Sequence, residues 1–128
     1  MIKRLGLTDQ VFISVSDVER AVQARAIDPE IRIQIRPDTL AEAMAFVERF
    51  ERAPEIIEIP SSAVAAIGPF INELGSKIFA DVFGLDIAGA LLHDLEPYRE
   101  VYALGAHVQQ SEFPQLVLEA LGRWSPVE

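Results

Sequence analysis

Residues 105–121, GAHVQQSEFPQLVLEAL, decide how this chain is read. Gly105 stops a helix, because glycine takes the left-handed C-terminal position without a side-chain penalty. Ala106 to Gln110 is then a short strand. Ser111 caps the following helix, and Pro114 fits its first turn, where a missing amide proton costs nothing. Leu116, Val117, Leu118 and Leu121 give that helix an apolar face, and Gly122 ends it. A strand that turns at once into a capped helix places polar groups at the strand's carboxyl end. In α/β folds, ligands bind at that edge.

The same unit recurs upstream. Met1 to Leu7 reads as the tail of a helix stopped at Gly6, an opening that suggests a missing segment before Met1. Gln10 to Val15 is a strand of β-branched and aromatic residues. Ser16 and Glu19 form a capping box for a helix whose apolar stripe is Val18, Ala21, Val22 and Ala26. Ile31 to Ile35 alternates apolar and polar residues, as a strand with two unlike faces does. Thr39 and Glu42 make a second box, and Leu40, Met44, Val47 and Phe50 supply the buried stripe of that helix. Glu55 to Ile59 is a third strand. The helix after it, reaching to about Gly75, is expected to kink or break at Pro69. Lys77 to Val82 is the fourth strand, and Phe83 to Leu92, with Gly84 and Gly89, reads as a loop. A helix from near Asp94 to Gly105, burying Tyr98, Val101 and Tyr102, leads into the fifth strand. Ser125-Pro126 closes the chain as a frayed tail.

The pattern is α/β: five parallel strands, each followed by a helix, in a single domain spanning residues 1–128. Half of the chain is hydrophobic, so it has the means to build a core. No run approaches the length of a membrane span and no signal peptide opens the chain, which reads as soluble and by default cytoplasmic. With no cysteine, thiolate catalysis and cysteine metal sites are excluded. Twenty acidic and eleven basic residues leave a net charge of -9. The basic residues are scattered, so neither nucleic acid nor an anionic membrane is an expected partner.

Gln110, Ser111, Glu112, Phe113 and Pro114 carry a likeness. The chain here resembles the C-terminal part of the glycerophosphodiester phosphodiesterase family, in which a short strand leads into Gln-Thr-Asp-x-Pro and a leucine-rich helix. Ser111 stands for the usual threonine and Glu112 for the usual aspartate. GLTDQVFISVSD and GSKIFADVFG also resemble strands of that family, although Asp81-Val82 replaces its frequent Trp-Thr or Trp-Asn. The resemblance implies a partial TIM-type (β/α) barrel, these five units being the fourth to eighth of eight. It further implies metal-dependent hydrolysis of glycerophosphodiesters and a place in lipid and glycerol metabolism. The family's His-Arg pair, Glu-x-Asp pair, second catalytic histidine and further metal-binding glutamate belong to the first three units. This chain has no His-Arg dipeptide, and its histidines are His93 and His107. No catalytic residue is therefore assigned, and the chain alone is expected to be inactive.

Strand carboxyl ends gather Ser14, Ser16 and Asp17; Arg36 and Asp38; Glu58, Ser61 and Ser62; Asp81; and Ser111 with Glu112. One reading is a pocket for a phosphorylated small molecule, with Arg36, Ser111, Glu112 and His93 as substrate-binding residues. The simpler reading makes the serines helix caps, Asp17, Asp38 and Glu112 solvated first-turn residues, and His93 a surface residue. Glu58 and Asp81 end apolar strands. As a pair of carboxylates they are candidate ligands for Mg²⁺ or Ca²⁺, which prefer oxygen; a solvent-facing position is the alternative. His107, at the opposite rim, reads as structural.

Five units cannot close an eight-stranded barrel, so two strand edges stay unpaired. Self-association into a homo-oligomer, or association with the missing barrel units, is expected. A non-catalytic phosphometabolite-binding or assembly module is the alternative to the hydrolase reading. Residues 54–60, PEIIEIP, also resemble a stretch of glycerol-3-phosphate-responsive antiterminators, which implies a regulator as a third possibility.

Overall fold

A computed structural model describes residues 1–124. The Ser125-Pro126 tail lies outside the described residues. The chain alternates β1 (Phe12–Val15), α1 (Val18–Ile27), β2 (Arg32–Ile35), α2 (Leu40–Val47), β3 (Ile56–Pro60), α3 (Val64–Glu73) and β4 (Lys77–Asp81). Two helices follow, α4 (Phe83–Leu92) and α5 (Glu96–Ala103), and then β5 (Val108–Gln110) and α6 (Pro114–Ala120). The strands form one sheet in the order β1-β2-β3-β4-β5, every neighbouring pair parallel. The architecture is a partial (β/α) barrel whose sheet does not close.

Alternation along the strands divides the residues between two faces. Ile33, Ile35, Ile57, Ile59, Ile78 and Ala80 are buried in the core with Val64, Ile67 and Ile71 of α3 and Val117 of α6. Each isoleucine contributes about 1.5–3 kcal/mol on full burial. Ser14, Gln34, Ile56 and Lys77 run across the opposite, inner face, as the register aligns them. Glu58, Phe79 and Val108 form the next row, and Pro60, Asp81 and Gln110 the row at the carboxyl end. Parallel β/α units put helices on the outside of a barrel, so this inner face is the one that a closed barrel would fill with side chains.

Several local expectations change. Asp17, not Ser16, caps α1, its Oδ1 accepting from the Glu19 amide at 2.9 Å. The α1 face narrows to Ala21, with Val18 and Val22 half-buried and Ala26 exposed. In α2 the buried residue is Ala43, flanked by half-buried Phe46 and Val47, whereas Leu40 and Met44 are exposed. Thr39 caps α2 as expected, its Oγ1 accepting from the Glu42 amide at 3.2 Å, while Glu42 Oε2 accepts from the amide of Asp38, one residue before the cap, at 2.8 Å.

Helix α3 runs unbroken through Pro69. Pro69 sits on the exposed side, and Gly68 before it has no side chain to crowd the ring. Gly68 instead lets α3 lie on the sheet, since a Cβ there would stand 3.3 Å from Ile78 Cδ1. Tyr102 is exposed, and Tyr98 and Val101 form the buried face of α5. In α6 Val117 and Ala120 are buried, while Leu118 faces outward. Among the described residues no helix is long and apolar enough to cross a membrane.

Candidate functional site

The carboxyl ends of β2, β3 and β4 enclose a cleft of about 140 Å³ lined by Arg36, Pro37, Asp38, Glu58, Ile59, Pro60 and Asp81. Strand register explains the grouping. Glu58 pairs with Phe79, and Pro60 with Asp81, so Glu58 and Asp81 project from the same face of adjacent strands. Arg36, just past β2, lays its guanidinium Nη2 3.0 Å from Glu58 Oε1.

Glu58 lies at the centre of this group. It is 4 % exposed, as is Gln34, whose amide Nε2 donates to Glu58 Oε2. Burial pushes the Glu58 carboxyl above the usual glutamate range, the Arg36 charge pulls it back, and the Asp81 charge raises it further. Although Arg36 is close, it approaches Glu58 Oε1 off the hydrogen-bonding direction, and both that oxygen and Gln34 Oε1 remain without a hydrogen-bond partner. The trio is therefore a partly satisfied polar network in a low-dielectric place, which is sensitive to protonation.

The other sequence candidates lie elsewhere. The Phe83–Leu92 segment is the helix α4, not a loop, and His93 is its left-handed C-cap, with φ 52°. The His93 ring stands 3.2 Å from Glu119 of α6 and does not line the cleft. Ser111 and Glu112 serve a structural clasp. Asp86, in the first turn of α4, is 1 % exposed. Its Oδ1 accepts from Tyr98 Oη at 2.8 Å and from Ser111 Oγ at 2.7 Å. Its Oδ2 accepts from the Glu112 amide at 2.7 Å. Ser111 Oγ in turn accepts from the Phe113 amide at 2.9 Å, so it orders the turn one step before α6 rather than capping that helix. The Glu112 side chain is exposed.

Two contributors carry little sequence signal. Gln34 stands on the polar face of its strand, and its position between Arg32 and Arg36 on alternate residues is the signal available. Asp86 was hidden because Gly84 and Gly89 made its segment read as a loop. Gly89 is instead required for packing: a Cβ there would stand 2.6 Å from Tyr98 Oη.

Glu58 and Asp81, the carboxylates expected to hold Mg²⁺ or Ca²⁺, both line the cleft, and each already has a partner. Mg²⁺ is commonly held by one or two carboxylates, with waters and phosphate completing its shell. Arg36 already neutralises Glu58, and Asp81 Oδ1 accepts from the Phe83 amide at 2.9 Å. Among the described residues no group of three or more His, Asp or Glu side chains is placed to hold a metal ion. A larger cavity, about 480 Å³, opens at the amino-terminal rim between Thr8, Asp9, Glu30, Arg32, Arg52 and Glu55. It lies at the opposite end from the strand carboxyl termini, where parallel barrels place their chemistry.

No protein-family model matches the sequence, and no curated protein matches it. The fold does match a solved structure, a glycerophosphoryl diester phosphodiesterase from Parabacteroides distasonis, with a TM-score of 0.77 at 18 % identity. The match covers 99 % of this chain and 46 % of that one, so the chain spans about half the length of the structure it resembles. At that identity the likeness establishes the fold.

Proposed function

We propose that this chain is the five-unit part of a glycerophosphodiester phosphodiesterase-like barrel, binding the phosphate end of a small molecule through Arg36 and not hydrolysing it alone. The observation that carries the reading is the open row of five parallel units, matched along 99 % of its length to less than half of a phosphodiesterase. The cleft's own chemistry supports binding rather than turnover. Arg36 is a planar donor suited to phosphate. Asp38, Glu58 and Asp81 surround it, and neither histidine lines the cleft. A ligand phosphate competes with Glu58 for the guanidinium, so protonation of Glu58 favours the bound state.

Hydrolysis of glycerophosphocholine, with Mg²⁺ and with Ca²⁺, tests the catalytic half of the reading: no turnover is expected. Turnover by the purified chain that Arg36→Ala abolishes would overturn it. Calorimetric titration with glycerol 3-phosphate tests the other half. Binding is expected to strengthen as pH falls toward 5 and to be lost in Arg36→Ala; binding that survives this substitution rules the cleft out.

A further inference from the structure

The inner face of the sheet carries apolar residues that lie outside the cleft lining. Its apolar residues are incompletely covered: Phe12 on β1 is 46 % exposed and Val108 on β5 is 44 % exposed, with half-buried Phe79 and Ile56 between them. Among the described residues β1 pairs with β2 alone and β5 with β4 alone, so both edges of the sheet present free backbone groups. Exposed apolar faces flanked by open edges are association surfaces.

Charge selects the occupant. Arg32 and Lys77 stand on this face toward the amino ends of the strands, both exposed, and Asp81 stands toward the carboxyl ends, next to Glu58, which is buried and paired with Arg36. On β4 alone, Lys77 and Asp81 lie four residues apart, roughly 13 Å at about 3.3 Å per residue. A face with exposed Lys77 toward one end of a strand and Asp81 toward the other is complementary to itself at those positions when turned through a two-fold axis perpendicular to its strands. We propose that two copies of this chain pack inner face to inner face with their strands antiparallel, Lys77 of each opposite Asp81 of the other and Phe79 near the axis.

The arrangement meets the requirement of a two-fold interface, that one patch contact its own copy. A pairing with strands parallel would bring Asp81 of one copy toward Asp81 of the other, and Lys77 toward Lys77, where like charges repel. This inference does not depend on the hydrolase reading, since it uses the face and edges of the sheet and no property of a substrate.

Sedimentation equilibrium and light scattering on the whole chain at micromolar concentrations test it. The unaltered chain is expected to have the mass of a dimer. Lys77→Glu and Asp81→Lys are each expected to shift it to monomer, and an equimolar mixture of the two to restore the dimer, because each reversed charge then meets its opposite. Asp81 also accepts from the Phe83 amide, so Val108→Asp, at an exposed edge residue, provides a second variant. It is expected to be monomeric with an unchanged circular dichroism spectrum. A monomeric unaltered chain, a mixture that stays monomeric, or a dimer that survives Val108→Asp each overturns the proposal. Capture of a β/α-unit partner by a chain that is monomeric alone overturns it too.

Discussion

The Tyr98 hydroxyl donates to the Asp86 carboxylate across 2.8 Å in the interior, and so ties α5 to the first turn of α4. The same carboxylate takes Ser111 Oγ and the Glu112 amide, so one buried side chain joins two helices to the turn after the last strand. The turn with the most distinctive sequence is therefore held by a residue that lies 25 positions before Ser111.

Tyr98→Phe removes a donor from this buried carboxylate and is expected to cost about 1–3 kcal/mol, measured by urea unfolding. Gly89→Ala places a methyl group 2.6 Å from the same hydroxyl and is expected to destabilise as well. The two losses should not add. Phenylalanine lacks the oxygen but keeps the ring carbons that stand 3.0 and 3.2 Å from the added methyl, so the double variant is expected to lie somewhat above the sum in stability. Strict additivity would show that the hydroxyl is not what the methyl displaces.

Glu58 makes acid favourable. Its folded pKa is raised by burial, so the folded chain holds this proton more tightly than the unfolded chain. Its contribution is fully present below the ordinary glutamate value, about 4.3, and is lost as pH rises through the higher folded value. Glu58→Gln keeps the shape without the charge. It is expected to raise the melting temperature slightly at pH 7 and to flatten its dependence between pH 4 and 7.

His107 acts in the opposite sense. Its Nδ1 accepts from the Ile78 amide at 3.1 Å, which requires an unprotonated nitrogen. Desolvation, and then the Lys77 charge, lower its pKa. The folded chain therefore binds this proton less tightly than the unfolded one. The contribution is present above the ordinary histidine value, about 6.5, and is lost as pH falls through the folded value. Titration by NMR is expected to place the ring below 6.5, and His107→Ala to remove the corresponding loss of stability in mild acid.

Arg25 anchors the amino-terminal rim through several contacts at once. It pairs with Glu55 at 2.9 Å, donates to the carbonyls of Arg52 and Ala53, and stacks 5.2 Å from the centre of the Phe50 ring. Arg25→Ala leaves those acceptors unmatched and is expected to cost about 2–4 kcal/mol, less than a fully buried pair because Glu55 keeps some solvent. A smaller loss in Arg25→Ala/Glu55→Gln than the two single losses combined, followed in denaturant, checks the coupling.

Five strands in order, their parallel sense and most helix positions were legible because each rests on local signals: alternation, capping residues and glycine stops. Gly6, Gly75, Gly105 and Gly122 all take positive φ where helices were read to stop. The segment after the fourth strand was not legible. Two glycines lower local helix propensity, and only the packing of Gly89 against Tyr98 repays it. The buried faces of α1 and α2 differ from the expected stripes, at Ala26 in α1 and at Leu40 and Met44 in α2, because helical periodicity leaves a face free to rotate until a neighbour fixes it.

The candidate site divides in the same way. Arg36, Glu58 and Asp81 stand out as polar residues at or near the ends of largely apolar strands, although alternation leaves the face of Glu58 undecided. Their convergence depends on the register between strands, a relation among residues more than twenty positions apart that no local pattern encodes. His93, Ser111 and Glu112 had equal standing in the sequence, and tertiary contacts with Glu119 and Asp86 took them elsewhere. Local propensity thus determined the elements and their order. Long-range pairing and burial decided which polar groups meet, because the cost of hiding a charge is set only by what surrounds it.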